Sequence, residues 1–298
     1  MSDFPRQARS GMAGRRIRPY VVEGKVRTVM IHFLRALRAA AFATGTALCG
    51  PASALEVVDV RVAGADAQDL ADRLRAASLT AQLDRDGNDD PRDIISAAQG
   101  DYARMVEALY AQGYYGAVVR IRIDGQEAAL VDPFARPGAI DRVEIAVDPG
   151  RPFRFGRIDI GPRAPGTALP EGLSAGRTAR STIVAQAARD AVTGWRQQGN
   201  AKARIAAQDI RARHDTAELD VGIRLQPGPR VTFGDGIVSG DTRVKPPRIR
   251  QIAGLPRGEV FDPDAVDRAE RRLRRTGTFG VVQLTEAETV APDGSMDI

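Results

Sequence analysis

The chain has 298 residues, with 43 Arg and Lys against 38 Asp and Glu, a net charge of +5 and a pI of about 9.8. The positive excess lies in residues 1–54, which hold nine basic and two acidic side chains, whereas the rest holds 34 basic and 36 acidic ones. This distribution argues against nucleic acid as a partner, because no excess of basic residues extends beyond the N-terminal region. The single cysteine, Cys49, lies in the same region, which excludes disulfides and Cys-based metal sites from the rest.

Residues 30–54 have the pattern of a secretory signal peptide. Arg35 and Arg38 supply the positive start, the uncharged apolar run 39–49 follows, and Ala52–Ala54 reads Ala-Ser-Ala, an A-x-A cleavage signal. An uncleaved N-terminal anchor is the alternative, but the apolar run is too short to span a bilayer. We therefore expect cleavage directly after this signal, and export of the chain.

Two kinds of glycine-containing join recur along the chain at similar spacing. Gly113, Gly199 and Gly277 each end a helix-like stretch and precede a strand-like one, 86 and 78 residues apart. A Pro-Gly join recurs at Gly150 and Gly228, again 78 residues apart. Two independent markers with one spacing indicate a repeat of about 80 residues.

Each repeat contains an amphipathic helix directly before the first kind of join. Asp90-Pro91 and Asp262-Pro263 are N-cap signals for the first and third of these helices, and glycine suits the left-handed conformation at each helix end. Apolar residues recur at helical spacing and predict one buried face per helix. These residues are Tyr102, Met105, Val106, Leu109 and Tyr110, then Val184, Ala187, Ala188, Ala191 and Trp195, then Val266, Ala269 and Leu273.

Strands with alternating apolar residues complete each repeat in the order β-α-α-β-β. After the first helix, Val119, Ile121 and Ile123 alternate with charged residues, as in a strand buried on one face. The earlier helix of each repeat is predicted at Asp66–Ala76, at a short turn near Leu169–Leu173 and at Pro247–Ala253. The predicted fold class is α+β, with each unit a small three-stranded sheet packed by two helices.

The repeat spacing divides the chain into five segments. Residues 1–29 precede Met30, the expected true start, and are predicted to be an upstream misreading of the gene. The other predicted segments are a signal peptide at 30–54, units at 56–150 and 151–228, and a third unit at 229–298 that is expected to be truncated before its last strand.

The repeat order and the joint P-G-x-x-[FV]-x-F-G resemble POTRA domains, the periplasmic polypeptide-transport modules of outer-membrane β-barrel assembly proteins. Three such units behind a signal peptide are similar to the N-terminal region of TamA-like members of the BamA/TamA superfamily. Those proteins continue into a large membrane barrel, whereas this sequence stops at Asp297-Ile298 without a run of transmembrane strands. The third unit carries the fullest signature, in Val231-Thr232-Phe233-Gly234, Gly254-Leu255, Gly258, Phe261-Asp262 and Gly277-Thr278-Phe279.

The resemblance implies a docking function in the periplasm rather than catalysis, with outer-membrane association through a barrel-bearing form. The implied partners are unfolded outer-membrane or autotransporter polypeptides and a TamB-like scaffold subunit. They would bind by β-augmentation at the strand edge that follows each helix, here Val118–Ile123, Arg204–Ile210 and Val281–Thr285. The candidate binding residues are Val118, Val119, Arg120, Ile121, Arg122, Ile123, Arg204, Ile205, Ile210, Val281, Val282 and Leu284; no catalytic, cofactor-binding or metal-binding residue is predicted.

Other interpretations of the sequence have weaker support. A periplasmic hydrolase using acidic residues needs two carboxylates in an apolar pocket, and no motif brings such a pair together. A cell-division scaffold would carry one POTRA unit behind an uncleaved anchor, which does not fit three repeats. Asp84–Asp90 departs from EF-hand spacing, Gly234–Gly240 from a dinucleotide loop, and His214 lacks a neighbouring nucleophile. The arginines of 268–275 fit a solvated helix face better than a lipid-phosphate site.

Overall fold

Three small β-sheets with their helices follow one another along the chain. The computed structural model describes residues 57–64, 67–132, 138–240 and 243–298, and all of them belong to one compact unit, Gly50–Ile298. The predicted signal peptide and its cleavage residues lie outside the described residues. Within the described ranges, no helix combines the length and the apolar character needed to cross a membrane.

The first module contains three helices and a four-stranded sheet. Its elements are β1 (Val57–Val62), α1 (Ala67–Ala77), α2 (Leu79–Asp86), α3 (Pro91–Gln112), β2 (Val118–Ile123), β3 (Gln126–Glu127) and β4 (Arg142–Asp148). The strand order is β1-β4-β2-β3, in which β1 runs parallel to β4 and β2 runs antiparallel to both of its neighbours. One turn of 3-10 helix, Ala128–Leu130, follows β3.

Local sequence signals set the two ends of α3. The Asp90 side chain accepts a hydrogen bond from a backbone amide at the N-cap, Pro91 fits the first turn, and Gly113 ends the helix with a φ of 92°. Along the predicted apolar face, Met105 is fully buried in the first core, whereas Val106 remains 37% exposed. The caps therefore define the helix, and only part of its predicted face reaches the sheet.

The second module has one helix on a three-stranded sheet. Its elements are β5 (Arg154–Gly161), α4 (Ser181–Gln197), β6 (Arg204–Arg213) and β7 (Glu218–Gln226). The strand order is β5-β7-β6, with β5 parallel and β6 antiparallel to β7. At Leu169–Leu173, where a short turn was predicted, the structure has a single turn in which the Leu173 amide donates to the Pro170 carbonyl at 2.9 Å. The segment 162–180 contains three prolines and three glycines, which disfavour a helix there.

The predicted apolar face of α4 forms the core of the second module. Val184, Ala187, Ala188 and Ala191 are buried in one cluster with apolar residues of β5 and β7. Trp195 closes the same face, partly buried, with its indole N–H donating to the Pro162 carbonyl at 2.8 Å. The small alanine side chains let the helix lie close to the sheet.

A glycine and an aspartate cooperate at a β-bulge in the second module. Gly156 lies where the pairing of β5 with β7 shifts register. The Asp220 carboxylate on β7 accepts a hydrogen bond from the Arg157 amide at 2.7 Å. A Cβ atom at Gly156 would overlap Asp220 Oδ1, so the missing side chain leaves room for this bond.

The third module has two helices and a two-stranded sheet. Its elements are β8 (Thr232–Phe233), α5 (Pro246–Ala253), α6 (Pro263–Arg275) and β9 (Ser295–Met296), with β8 parallel to β9. Its buried apolar residues form two small clusters, one around Phe233 and Phe261 and one around Leu273. Fewer buried side chains hold this module than either of the other two.

The last strand of the third module, expected to be missing, begins within the sequence. β9 starts at Ser295, and Asp297 accepts a 2.6 Å hydrogen bond from the Asp235 amide, next to Gly234. This arrangement repeats the bond from Arg157 to the β7 aspartate of the second module. The segment 295–298 therefore corresponds to the first four residues of β7.

The α+β class is confirmed, while the modules vary around the predicted β-α-α-β-β order. The first module adds α2 and the two-residue β3, the second lacks its earlier helix, and the third lacks a middle strand. The strands that form the shared framework are parallel pairs, β1 with β4, β5 with β7 and β8 with β9. The three modules therefore share the parallel strand pair and differ in the helices and strands around it.

Candidate functional site

Strand β6 is an edge strand of unusual length for such a small sheet. It contains ten residues, including the predicted docking segment Arg204–Ile210, and pairs with β7 on one side. On its other side, no backbone hydrogen bond reaches it from any described residue. Since alternate residues of an edge strand direct N–H and C=O groups away from the sheet, β6 offers a row of unpaired donors and acceptors.

One face of β6 continues the apolar surface of the second core. Its register places Ile205, Gln208 and Ile210 opposite β7 residues that are buried under α4. None of the ten β6 residues is buried, and Ile210 remains 44% exposed. An added strand would therefore find backbone partners along the edge and an uncovered apolar surface beside them.

Charged side chains cover the opposite face of β6. Arg211 forms an ion pair with Asp209 at 2.8 Å, and Arg213 contacts the carboxylates of Glu218 and Asp220. Ion pairs this exposed contribute little to stability. Charges along an edge instead oppose uncontrolled strand pairing between copies.

The predicted edge in the first module is only partly open. Val118 lies at the start of β2, but β3 pairs with its end, placing Arg122 opposite Glu127 and Ile123 opposite Gln126. β2 is therefore an interior strand over its last two residues and an edge strand before them. The prediction missed β3, although a two-residue Asp-Gly turn links the two strands.

The third predicted edge is not a strand. Val281, Val282 and Leu284 lie in an irregular segment, with Val281 88% exposed. They border a partly apolar cleft of about 970 Å³ that Ile237 also lines. No strand in the described part of the chain pairs with Val281–Thr285.

The two module junctions use the same backbone bonds. The Gly113 carbonyl accepts from the Phe153 amide at 2.8 Å, and the Gly199 carbonyl accepts from the Val231 amide at 2.9 Å. The Phe153 carbonyl then accepts from the Ala179 amide at 2.9 Å, an arrangement that also recurs at the second junction. The glycine that ends one module's helix thus anchors the first strand of the next, a function that the sequence pattern did not reveal.

Comparison with known proteins identifies the third module. Residues 231–297 match the POTRA family model, described as a surface antigen variable number repeat. The match covers the third module, which is therefore similar to a POTRA domain. No curated protein sequence matches it significantly.

One solved structure is similar in fold over a larger part of the chain. POTRA domains 3–5 of BamA from Haemophilus influenzae align with a TM-score of 0.50 and 16% identity, covering 67% of this chain and 78% of that one. POTRA domains 1–3 of Omp85 from Anabaena align at 15% identity and a TM-score of 0.31, covering 82% and 92%. The BamA alignment agrees with the repeated parallel strand pair and helix described above.

Aromatic rings fill the junction between the first and second modules. Tyr115 stacks on Tyr110 with ring centroids 4.6 Å apart and meets Phe153 edge-on at 5.5 Å. Burial, with a smaller effect of Tyr110, raises the pKa of Tyr115 to about 12. His214 packs edge-on against Phe153 at 5.3 Å, so its ring belongs to this contact.

Charged groups link the second and third modules. The Glu286 carboxylate binds the Arg196 guanidinium and lies 3.9 Å from Lys202 Nζ. The Arg196 guanidinium also lies 5.3 Å from the centre of the Phe261 ring. This junction therefore depends on a partly buried ion pair, where the first depends on apolar packing.

The remaining sequence candidates have local structural explanations. In Asp84–Asp90, Gly87 ends α2 and Asp90 caps α3. Among the described residues, no three His, Cys, Asp or Glu side chains form a group that could hold a metal ion. In the arginine cluster of α6, Arg268 pairs with Asp262 at 3.0 Å, and Arg272 binds carbonyl groups at the end of α5.

Proposed function

We propose that the chain is a periplasmic polypeptide-docking module of an outer-membrane assembly factor. The POTRA match of residues 231–297 and the fold shared with the BamA POTRA domains support the general assignment. The observation that carries the docking function is the free ten-residue edge of β6 beside an uncovered apolar face. An extended client segment would pair with that edge as a fourth strand of the second sheet.

The chemistry of β6 suits clients of varied sequence. Backbone hydrogen bonds supply affinity without requiring a particular side chain. Side chains of the added strand alternate between two faces, so apolar ones would meet Ile210 and polar ones would meet the charged face with Arg211 and Asp209. This combination favours amphipathic β-strands as clients.

The finer assignment rests on the resemblance noted from the sequence. We infer a TamA-like scaffold without catalytic activity, exported by its signal peptide and associated with the outer membrane. Its clients would be unfolded outer-membrane or autotransporter polypeptides, and its constant partner a TamB-like subunit. Localising the protein in cell fractions and identifying what crosslinks to β6 would test these parts of the proposal.

An Ile210→Lys variant tests the docking edge. A charge on the apolar side of an edge strand opposes strand addition, so we expect affinity for an extended peptide to fall at least about tenfold. The probe is a labelled peptide of about ten residues in which valine alternates with threonine and glutamate. Fluorescence anisotropy measures its dissociation constant.

Ile237→Lys is the matched control for this experiment. Ile237 is 67% exposed in the third module, so the same chemical change is made away from β6. The control should bind the peptide like the parent chain. Equal binding by the parent and by Ile210→Lys would contradict docking at β6, and equal losses in both variants would indicate a nonspecific effect of charge.

A further inference from the structure

The backbone orientation of β2 identifies which of its groups face the open side. The Asp124 amide bonds to the Arg142 carbonyl at 3.0 Å, which continues the pairing of β2 with β4. Because antiparallel pairs alternate, Val119, Ile121 and Ile123 direct their amide and carbonyl groups away from β4. These three residues are the ones that an added strand would contact.

Two of these three positions are already occupied from within the chain. Ile123 pairs with Gln126 of β3 through a two-residue Asp-Gly turn, in which Asp124 has a φ of 47° and Gly125 a φ of 84°. The Ile121 carbonyl accepts a hydrogen bond from the Tyr102 hydroxyl at 3.1 Å. Among the described residues, the outward groups without a partner are the amide and carbonyl of Val119 and the amide of Ile121.

Two α3 side chains fasten the segment Gly125–Val131, which we name the strap. Tyr102 Oη also hydrogen-bonds the Glu127 carboxylate, and burial together with this carboxylate raises the pKa of Tyr102 to about 12. One turn earlier, Gln99 Nε2 donates to the carbonyls of Ala128 at 3.1 Å and Val131 at 2.9 Å. The middle of the strap and its C-terminal end are thus tied to one face of α3.

We propose that the strap is an internal occupant of the first module's docking edge, so that an extended segment binds there only by displacing it. This inference rests on the proposed docking function, because it treats β2 and β6 as equivalent edges in successive modules. β6 has no such cover in the described part of the chain. The chain therefore presents an open edge at β6 and, at β2, an edge that the strap covers in part.

A Gln99→Ala/Tyr102→Phe variant removes both fastenings and keeps the Tyr102 ring in the core. Without peptide, amide exchange in the β2–β3 hairpin should accelerate about tenfold or more, as expected from losing at least one net hydrogen bond. With the alternating valine peptide, hydrogen-exchange mass spectrometry should show protection of β6 alone in the parent chain. In the variant, the peptide should protect β2 as well as β6. The number of peptides bound per chain should rise from one to two.

Tyr110→Phe is the matched control, because Tyr110 lies on α3 and its hydroxyl has no hydrogen bond to a described residue. It should exchange and bind like the parent chain. Protection of β2 by peptide in the parent, or unchanged hairpin exchange in the variant, would overturn the strap inference. If the double variant loses its fold, Tyr102→Phe alone supplies the exchange comparison. A parent chain that binds no peptide refutes the docking function, while the peptide-free exchange still tests whether the strap is fastened as inferred.

Discussion

An Asp101→Ala variant is expected to lower the free energy of unfolding of the first module by about 2–4 kcal/mol, because buried donors lose their acceptor. Asp101 is fully buried on α3. Its carboxylate accepts hydrogen bonds from the Ser78 hydroxyl at 2.6 Å and from the amides of Leu79 at 2.7 Å and Thr80 at 3.2 Å. The carboxylate thus binds the N-terminus of α2, where free amides and the helix dipole favour negative charge.

This loss is measured by unfolding the chain in urea, with hydrogen exchange of the α3 amides as the readout for the first module. Glu107→Ala is the matched control, since Glu107 is an exposed acidic residue of the same helix and should change stability by less than about 0.5 kcal/mol. The second module should keep the exchange rates of the parent chain. Equal effects of the two substitutions would show that the Asp101 hydrogen bonds contribute no net stability.

A Gly113→Ala variant is expected to cost about 2–4 kcal/mol and to loosen the first junction. A φ of 92° costs an alanine about 1–2 kcal/mol by itself. The added Cβ would also lie 2.9 Å from Thr178 Cγ2, across the junction, and overpacking there adds about 1–3 kcal/mol. The backbone must shift at residue 113 to relieve this clash. Because the Gly113 carbonyl accepts the hydrogen bond from the Phe153 amide, the shift should weaken that hydrogen bond.

Gly87→Ala is the control that separates the energetic cost of a positive φ from the cost of the steric clash at the junction. Gly87 ends α2 with a φ of 69°, and a Cβ there meets no atom within 4 Å. Gly87→Ala should therefore lose only the stability that corresponds to the unfavourable φ of alanine. Its small-angle scattering curve should match that of the parent chain. Gly113→Ala should lose more stability and broaden the distance distribution. Identical behaviour of the two variants would mean that the close packing at Gly113 does not hold the modules together.

The sequence was most informative where one residue type has one local role. Gly113, Gly199 and Gly277 all have positive φ at the ends of their helices, as their position after an amphipathic stretch predicted. The Pro-Gly joins at Gly150 and Gly228 also have positive φ. These positions are set by backbone geometry, which local sequence determines directly.

Features that depend on distant partners were harder to predict. The register shift at Gly156 needs Asp220 on another strand, although the recurrence of Phe-Gly and of an aspartate near the end of each repeat offered a signal. Closure of β2 depends on Tyr102 and on the Asp124-Gly125 turn, and the Asp-Gly pair was the overlooked local sign of a hairpin. Edge status follows from sheet order, which strand periodicity alone does not provide.

The position at which an extended polypeptide protects the chain tests the central claim most directly. Backbone amide exchange should be recorded by NMR for the chain alone and with saturating alternating valine peptide. The account predicts that outward-facing amides of Arg204–Arg213 slow by about tenfold or more, with cross-strand contacts between peptide and β6. Protection confined to the cleft beside Val281, or bound peptide that leaves the β6 amides unchanged, would contradict docking at this edge.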